Sequence, residues 1–286
     1  MPIDPSVAIG ATLPDQEFDW TTSDVLLYHL SLGAGAPPTL PRELRYATEQ
    51  DTQVLPTFAV VAPSLRETEA PRVSYPGIEI DLAKVLHGTQ RVEAHRPLPV
   101  AGKARARVRV TDVWDKGTAA IVVTETDVRD MDDQPLWTAT SSIFARGEGG
   151  FGGERGPSGA NPPPDREPDA VIYTATLPQQ ALWYRLLGDR NPLHSDPDFA
   201  TKAGFPTPIL HGLATYGIVA KALVDELLDG DVTRMRAFGV RFTGVVFPGE
   251  TLRTAAWRDE DRFVVQTTVQ DRDNAPALSD AELVLA

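Results

Sequence analysis

The sequence predicts an α+β protein built as two tandem copies of one unit, each a curved antiparallel sheet around a helix, with that helix reduced in the N-terminal copy. Three observations carry this. A glycine- and proline-dense stretch over 147–169 divides the chain, and short strings recur in the same order on either side of it. The strand-like segments also follow one another with few helices between them, as in antiparallel α+β layers.

In the first copy, 1–146, "VLLYHLSLGAG" (25–35) reads as a short helix stopped by glycine, and "LPTF" (55–58) and "VLHGTQ" (85–90) follow. The run "ARARVRVTDVWDKGTAAIVVTETDV" then gives two strands joined by a polar turn, its β-branched residues alternating or clustered as half-buried strands require. The divider, "GEGGFGGERGPSGANPPPDREPD", buries too little apolar surface to offset its ordering entropy, which predicts an exposed, mobile tether.

In the second copy, 170–286, "ALWYRLLGDRN" (181–191) parallels the first helix with Tyr184 opposite Tyr28, and "FPTP" and "ILHGLA" parallel the next two strings. Leu213, Tyr216, Ala220, Leu223 and Leu227 then share one face of a helix that stops at Gly230. The strand "RMRAFGVRF" and the pair "TLRTAAWRDEDRFVVQTTVQD" complete the copy. After "LHG" the second copy thus builds a helix, where the first passes almost directly into "TQRVEAHRPLPV". The loss leaves either a cavity fit for a long hydrophobic ligand or a space refilled by "PTFAVVA" and its neighbours.

Composition removes several function classes. Asp and Glu number 40 against 27 Lys and Arg, a net charge of −13, so the summed field repels nucleic acid. Without cysteine there is no disulfide frame, thiolate metal site or cysteine nucleophile, which leaves oxygen and imidazole for the chemistry. The start lacks a basic stretch followed by an apolar run, no segment approaches the roughly 20 apolar residues of a membrane span, and "AELVLA" is no peroxisomal address. A cytoplasmic protein with no membrane partner is expected.

The chemistry gathers in "YRLLGDRNPLHSDPDFATKAGFPTPILHGL". Gly188 permits an abrupt helix exit and Pro192 forbids continuation, so Asp189 and His194 fall on a short irregular loop. The first copy keeps the tyrosine and glycine but has Ala34 near the place of Asp189 and no Asn-Pro or His, so the fold alone does not demand these residues. A carboxylate and an imidazole five apart on such a loop can face one water from two sides. Gly212 opens the following helix, where free N–H groups favour negative charge, as on a thioester carbonyl in a transition state. His211, matched by His87 in the copy that lacks the acid-base pair, reads as structural.

The string "YRLLGDRNPLH", followed by "GFPTPILHGL", resembles the signature of the hydratase 2 family, the MaoC-like (R)-specific enoyl-CoA hydratases; the first half, with "LPTF", "YPGIEIDLAKVLHGTQ" and "LPV", resembles the N-terminal half of its double-hotdog members. The resemblance implies one site per chain that adds water to a trans-2-enoyl-CoA, or removes it from the (R)-3-hydroxyacyl-CoA. It implies Asp189 and His194 as the acid-base pair and the Gly212 N–H on the thioester oxygen. Asn191 orients the loop, and with Arg190, Pro192 and Leu193 it belongs to the substrate-binding set. From elsewhere, His87 and Gly88 line the site, Lys116 of the "WDKG" turn lies near CoA, and Phe242 touches substrate. Arg190 departs from the aromatic residue common in relatives. The family further implies an acyl-CoA partner, a homodimer, and no cofactor beyond the CoA of the substrate. Thioester hydrolysis, and a non-catalytic subunit binding acyl-CoA or acyl-carrier protein, are the alternatives on the same scaffold.

Overall fold

The computed structural model describes residues 3–157 and 161–286. After one helical turn, α1 (Pro5–Ala8), the chain forms the edge strand β1 (Gln16–Trp20) and then α2 (Thr22–Ser31). A reciprocal capping box starts α2: the Thr21 hydroxyl accepts from the Asp24 N–H while the Asp24 carboxylate accepts from the Thr21 N–H at 2.8 Å. Gly33, at φ +91°, ends it. A second short helix, α3 (Pro41–Ala47), starts on a proline, whose missing N–H is no loss there. Two 3-10 turns, Pro56–Val60 and Ala62–Ser64, fill the "PTFAVVA" stretch. The hairpin β2 (Val73–Tyr75) and β3 (Ile78–Ile80) leads into four longer strands, β4 (Val85–Ala94), β5 (Gly102–Asp115), β6 (Ala119–Asp130) and β7 (Pro135–Arg146). β5 shows the expected alternation, with Ala104, Ala106 and Val110 buried and Arg105, Arg107 and Arg109 exposed.

The second half runs β8 (Ala170–Ala175), α4 (Gln180–Tyr184), α5 (Pro197–Lys202), α6 (Gly212–Leu227), β9 (Met235–Phe242), β10 (Thr251–Asp259), β11 (Arg262–Val269) and β12 (Ala275–Leu285). Among the described residues, ten strands form one antiparallel sheet in the order β1-β5-β6-β7-β4-β9-β12-β11-β10-β8, so each half supplies a contiguous block. The seam is β4 against β9, in register from Thr89 opposite Arg241 to Glu93 opposite Ala237. Here the two "LHG" strings part: the first lies in β4, and the second opens α6.

α6 differs from the one-sided helix its periodicity suggests, because Tyr216, Gly217, Ile218, Val219, Ala220 and Lys221 are buried in succession. The physical reason is that α6 packs against β8 and β9 on its own side and against the 3-10 turn Pro56–Val60 of the other half. α2 presses on it at Gly217, where a Cβ would lie 2.7 Å from the Tyr28 hydroxyl and 2.8 Å from Leu32. One helix therefore fills space for both halves. A buried charge cluster locks this arrangement. Lys221 donates to Glu43 of α3 at 2.9 Å and to Asp225 at 2.7 Å, and the Tyr46 hydroxyl donates to Asp225 at 3.0 Å.

The glycine-rich divider also departs from a free tether in its first part. The Asp115 carboxylate accepts from the backbone N–H groups of Gly117, Gly150 and Gly152 at 2.7, 2.8 and 2.7 Å, and the Gly150 and Gly117 bonds lead in holding its pKa down to about 2. Lys116 reaches the carbonyls of Arg155 and Pro157. Glycine here supplies unobstructed N–H donors for an anion nest, and positive φ at Gly117, Gly150 and Gly152 makes the wrap possible.

In the core, His29 is fully buried, with Nδ1–H donating to the Tyr46 carbonyl at 3.0 Å and Nε2 accepting from the Leu55 N–H at 3.2 Å. Burial leads in pushing its pKa down to about 3. Between the unfolded value near 6.5 and that folded value, the unfolded chain binds a proton the folded chain refuses, so stability falls as pH falls through this window. The loss from His29 alone is about 2 kcal/mol at pH 5. His87, His194 and His211 are shifted the same way by burial, and the depressed carboxylates act only below their ordinary range. Urea midpoints at pH 7 and pH 5 check this: a lower midpoint at pH 5 is expected, and equal midpoints would refute it.

Candidate active site

The loop after α4 is shaped by its own residues. A 3-10 turn, Arg185–Leu187, closes on Gly188 at φ +107°, where a Cβ would lie 1.8 Å from the Ser64 carbonyl oxygen of the first half. No other residue fits both that backbone and that contact. Asp189 Oδ1 accepts from the Asn191 N–H at 3.2 Å, Asn191 Oδ1 accepts from the Leu193 N–H at 3.0 Å, and Pro192 starts the turn that ends at His194. Asp189 and Asn191 thus staple the loop while the second Asp189 oxygen stays available.

His194 is 8% exposed, and its Nδ1–H donates to the Ile209 carbonyl at 2.9 Å. That bond leaves Nε2 with the lone pair. Burial holds the His194 pKa below the ordinary histidine value, while the Asp189 charge and the Ile209 carbonyl oppose the shift. One donor atom each from Asp189, His194 and His211 lie within 4.8 Å of one another. That spacing lets a single water bridge Asp189 and His194. It also makes the trio the candidate metal ligands among the described residues, but the His194 and His211 rings stack 3.7 Å apart at 28° and His211 Nε2 lies 3.3 Å from the Asp189 carbonyl. Ligand nitrogens about 2.0 Å from one ion would have to break that stack, so the group fits a metal poorly.

The pair opens on a cavity of about 290 Å³ with a mainly apolar wall, including Pro71, Val73 and Leu82 from one half and Leu193, Ile209 and Leu213 from the other. Gly212 lies on that wall at the first position of α6, where its N–H has no helical acceptor. Phe242 covers it so closely that a Cβ at 212 would meet the ring at 3.2 Å. His87 faces them from β4, 4.7 Å from the Phe242 ring, with Nε2 3.0 Å from the Ser141 hydroxyl and a pKa pushed down to about 4, chiefly by burial. Asp189, Asn191, Leu193, His194, Gly212, His87 and Phe242 are therefore brought to one cavity.

Four expected residues lie elsewhere. Gly88 and Lys116 border a separate groove, with Gly88 at the irregularity where β4 shifts register against β7 between His87 and Thr89. Lys116 is engaged by the divider. Arg190 turns out toward the Glu67 carbonyl at 3.4 Å, and Pro192 shapes the loop from outside the cavity lining. Thr215, Ser141, Pro71 and Val73 are marked by no motif; the i, i+3 spacing of Thr215 from Gly212 is the one available signal.

Residues 18–147 match the MFE-2 hydratase 2 N-terminal domain, and residues 160–276 match the MaoC like domain. Enoyl-CoA hydratase ChsH3 of Mycobacterium tuberculosis is 56% identical over 286 residues, covering 100% of both chains. The 3-hydroxyacyl-thioester dehydratase Y of the same organism is 46% identical, covering 97% of this chain and 95% of its own. The crystal structure of a MaoC-like dehydratase from Phytophthora capsici superposes with a TM-score of 0.88 at 30% identity, covering 99% and 98% of the two chains. Two sheet blocks joined edge to edge, one central helix and one Asp–His loop thus go with these matches: the chain is a hydro-lyase of double hotdog fold and belongs to the MaoC-like hydratase 2 family of enoyl-CoA hydratases and 3-hydroxyacyl-thioester dehydratases.

Proposed function

We propose that the protein catalyses (R)-specific hydration of trans-2-enoyl-CoA to (R)-3-hydroxyacyl-CoA, and the reverse dehydration. A water held between Asp189 and His194 gives a proton to His194 Nε2 as its oxygen bonds to C3. The C2–C3 π electrons move toward the thioester oxygen, which carries the growing negative charge and accepts a hydrogen bond from the Gly212 N–H; one such donor contributes about 3 kcal/mol. The imidazolium then returns the proton to C2, so water is fully accounted for and both parts arrive from one face. The observation that carries this reading is the approach of the Asp189 and His194 donor atoms within 4.8 Å at the wall of an apolar cavity. His194, kept neutral by burial, suits the base.

The reading includes the substrate-binding loop Arg190–Leu193 with His87 and Phe242 against the acyl thioester, and Gly88 and Lys116 as outlying contacts of the CoA portion. It also includes a cytoplasmic homodimer that uses neither metal nor further cofactor. Crotonyl-CoA and longer trans-2-enoyl-CoAs, with chiral analysis of the product, test it. The (R)-3-hydroxyacyl-CoA is expected; the (S)-product, or release of free CoA from saturated acyl-CoA, overturns it.

A further inference from the structure

His211 is the fully buried residue before Gly212, and its side chain does not cap α6. It turns back under the catalytic loop. Nε2–H points at the Asp189 backbone carbonyl at 3.3 Å, one ring face stacks on His194 at 3.7 Å, and Tyr184 lies 4.9 Å away. The segment that carries it also supplies the Ile209 carbonyl to His194 Nδ1 and the Gly212 N–H. Base, carboxylate main chain and oxyanion donor are thus tied to one imidazole. With Nε2 protonated, Nδ1 is a bare acceptor, and it is buried with no partner among the described residues. A charged ring would face His194 and Arg185, and burial and His194 already hold the His211 pKa well below the ordinary value.

We propose that His211 is a positioning residue for the hydration reaction assigned above: as an Nε2-protonated imidazole stacked on His194 it fixes the plane of the His194 ring and keeps water from its inner face. The inference rests on Asp189 and His194 being the working pair. The groups facing the stack are Asp189, Arg185 and Tyr184, besides the two histidines themselves.

Histidine-directed ¹⁵N NMR of the wild-type chain, from pH 5.5 to 8, reads the tautomer without any assay. An Nε2-protonated His211 that does not titrate is expected; a protonated Nδ1 or a titrating ring overturns the proposal. His211→Asn, which keeps an N–H donor and removes the ring, is followed by the same signals. The His194 pKa is expected to move up, because water reaches the vacated face, and kcat to fall about 10-fold or more with KM within about 2-fold, as for a misplaced base. A lower kcat with an unmoved His194 titration means a merely structural residue and overturns the proposal. If the wild-type chain hydrates no enoyl-CoA, the functional reading fails separately, since the NMR result does not depend on turnover.

Discussion

Asp189→Asn and His194→Ala are each expected to lower kcat for enoyl-CoA hydration by about 1,000-fold, within the range that a positioned acid or base contributes. Asp189→Asn keeps an oxygen to accept from the Asn191 N–H, so the loop retains its staple. His194→Ala leaves the Ile209 carbonyl without its donor, at a cost of roughly 1 to 3 kcal/mol that a folded chain of this size tolerates. Steady-state rates, with thermal unfolding to verify the fold, give the answer; turnover within about 10-fold of wild type in either variant sinks the assignment. In wild type, kcat/KM should fall as pH drops through a value below 6.5, because burial lowers the His194 pKa and only the neutral imidazole acts as base.

Lys221→Met is expected to destabilise the fold by about 3 to 5 kcal/mol, because it leaves the buried Glu43 and Asp225 carboxylates without their shared cation. The exposed Arg42–Glu226 pair joins the same two helices at 3.0 Å with both side chains nearly half open to solvent, and Arg42→Ala should cost less than about 1 kcal/mol. Urea denaturation of the two variants compares them directly. Similar losses in both would mean that the inner cluster is hydrated and adds no more than a surface pair.

The contrast between these sites explains what was legible in the sequence. Gly188, Asp189, Asn191, Pro192 and His194 form a local motif whose hydrogen bonds close within a few residues, so spacing alone conveys the loop. The duplicated strings and the β-branched runs likewise announce the two sheet blocks. Contacts between distant segments are silent. Asp115 collects N–H groups from beyond the β6–β7 hairpin, so glycines that read as slack chain become an anion nest. Lys116 looks like a free hairpin cation until the divider folds over it. α6 shows one apolar face in its periodicity, and the burial of the remaining faces depends on the other half packing against it.

The Ser64 carbonyl against Gly188 makes the two halves unequal partners. The Asp189–His194 loop of one half leans on main chain from the other, so the two halves are not interchangeable. A matching loop in the first half would need a helix, a loop and a supporting surface that this half does not have, because its corresponding string lies in β4 and its main chain at Ser64 already backs Gly188.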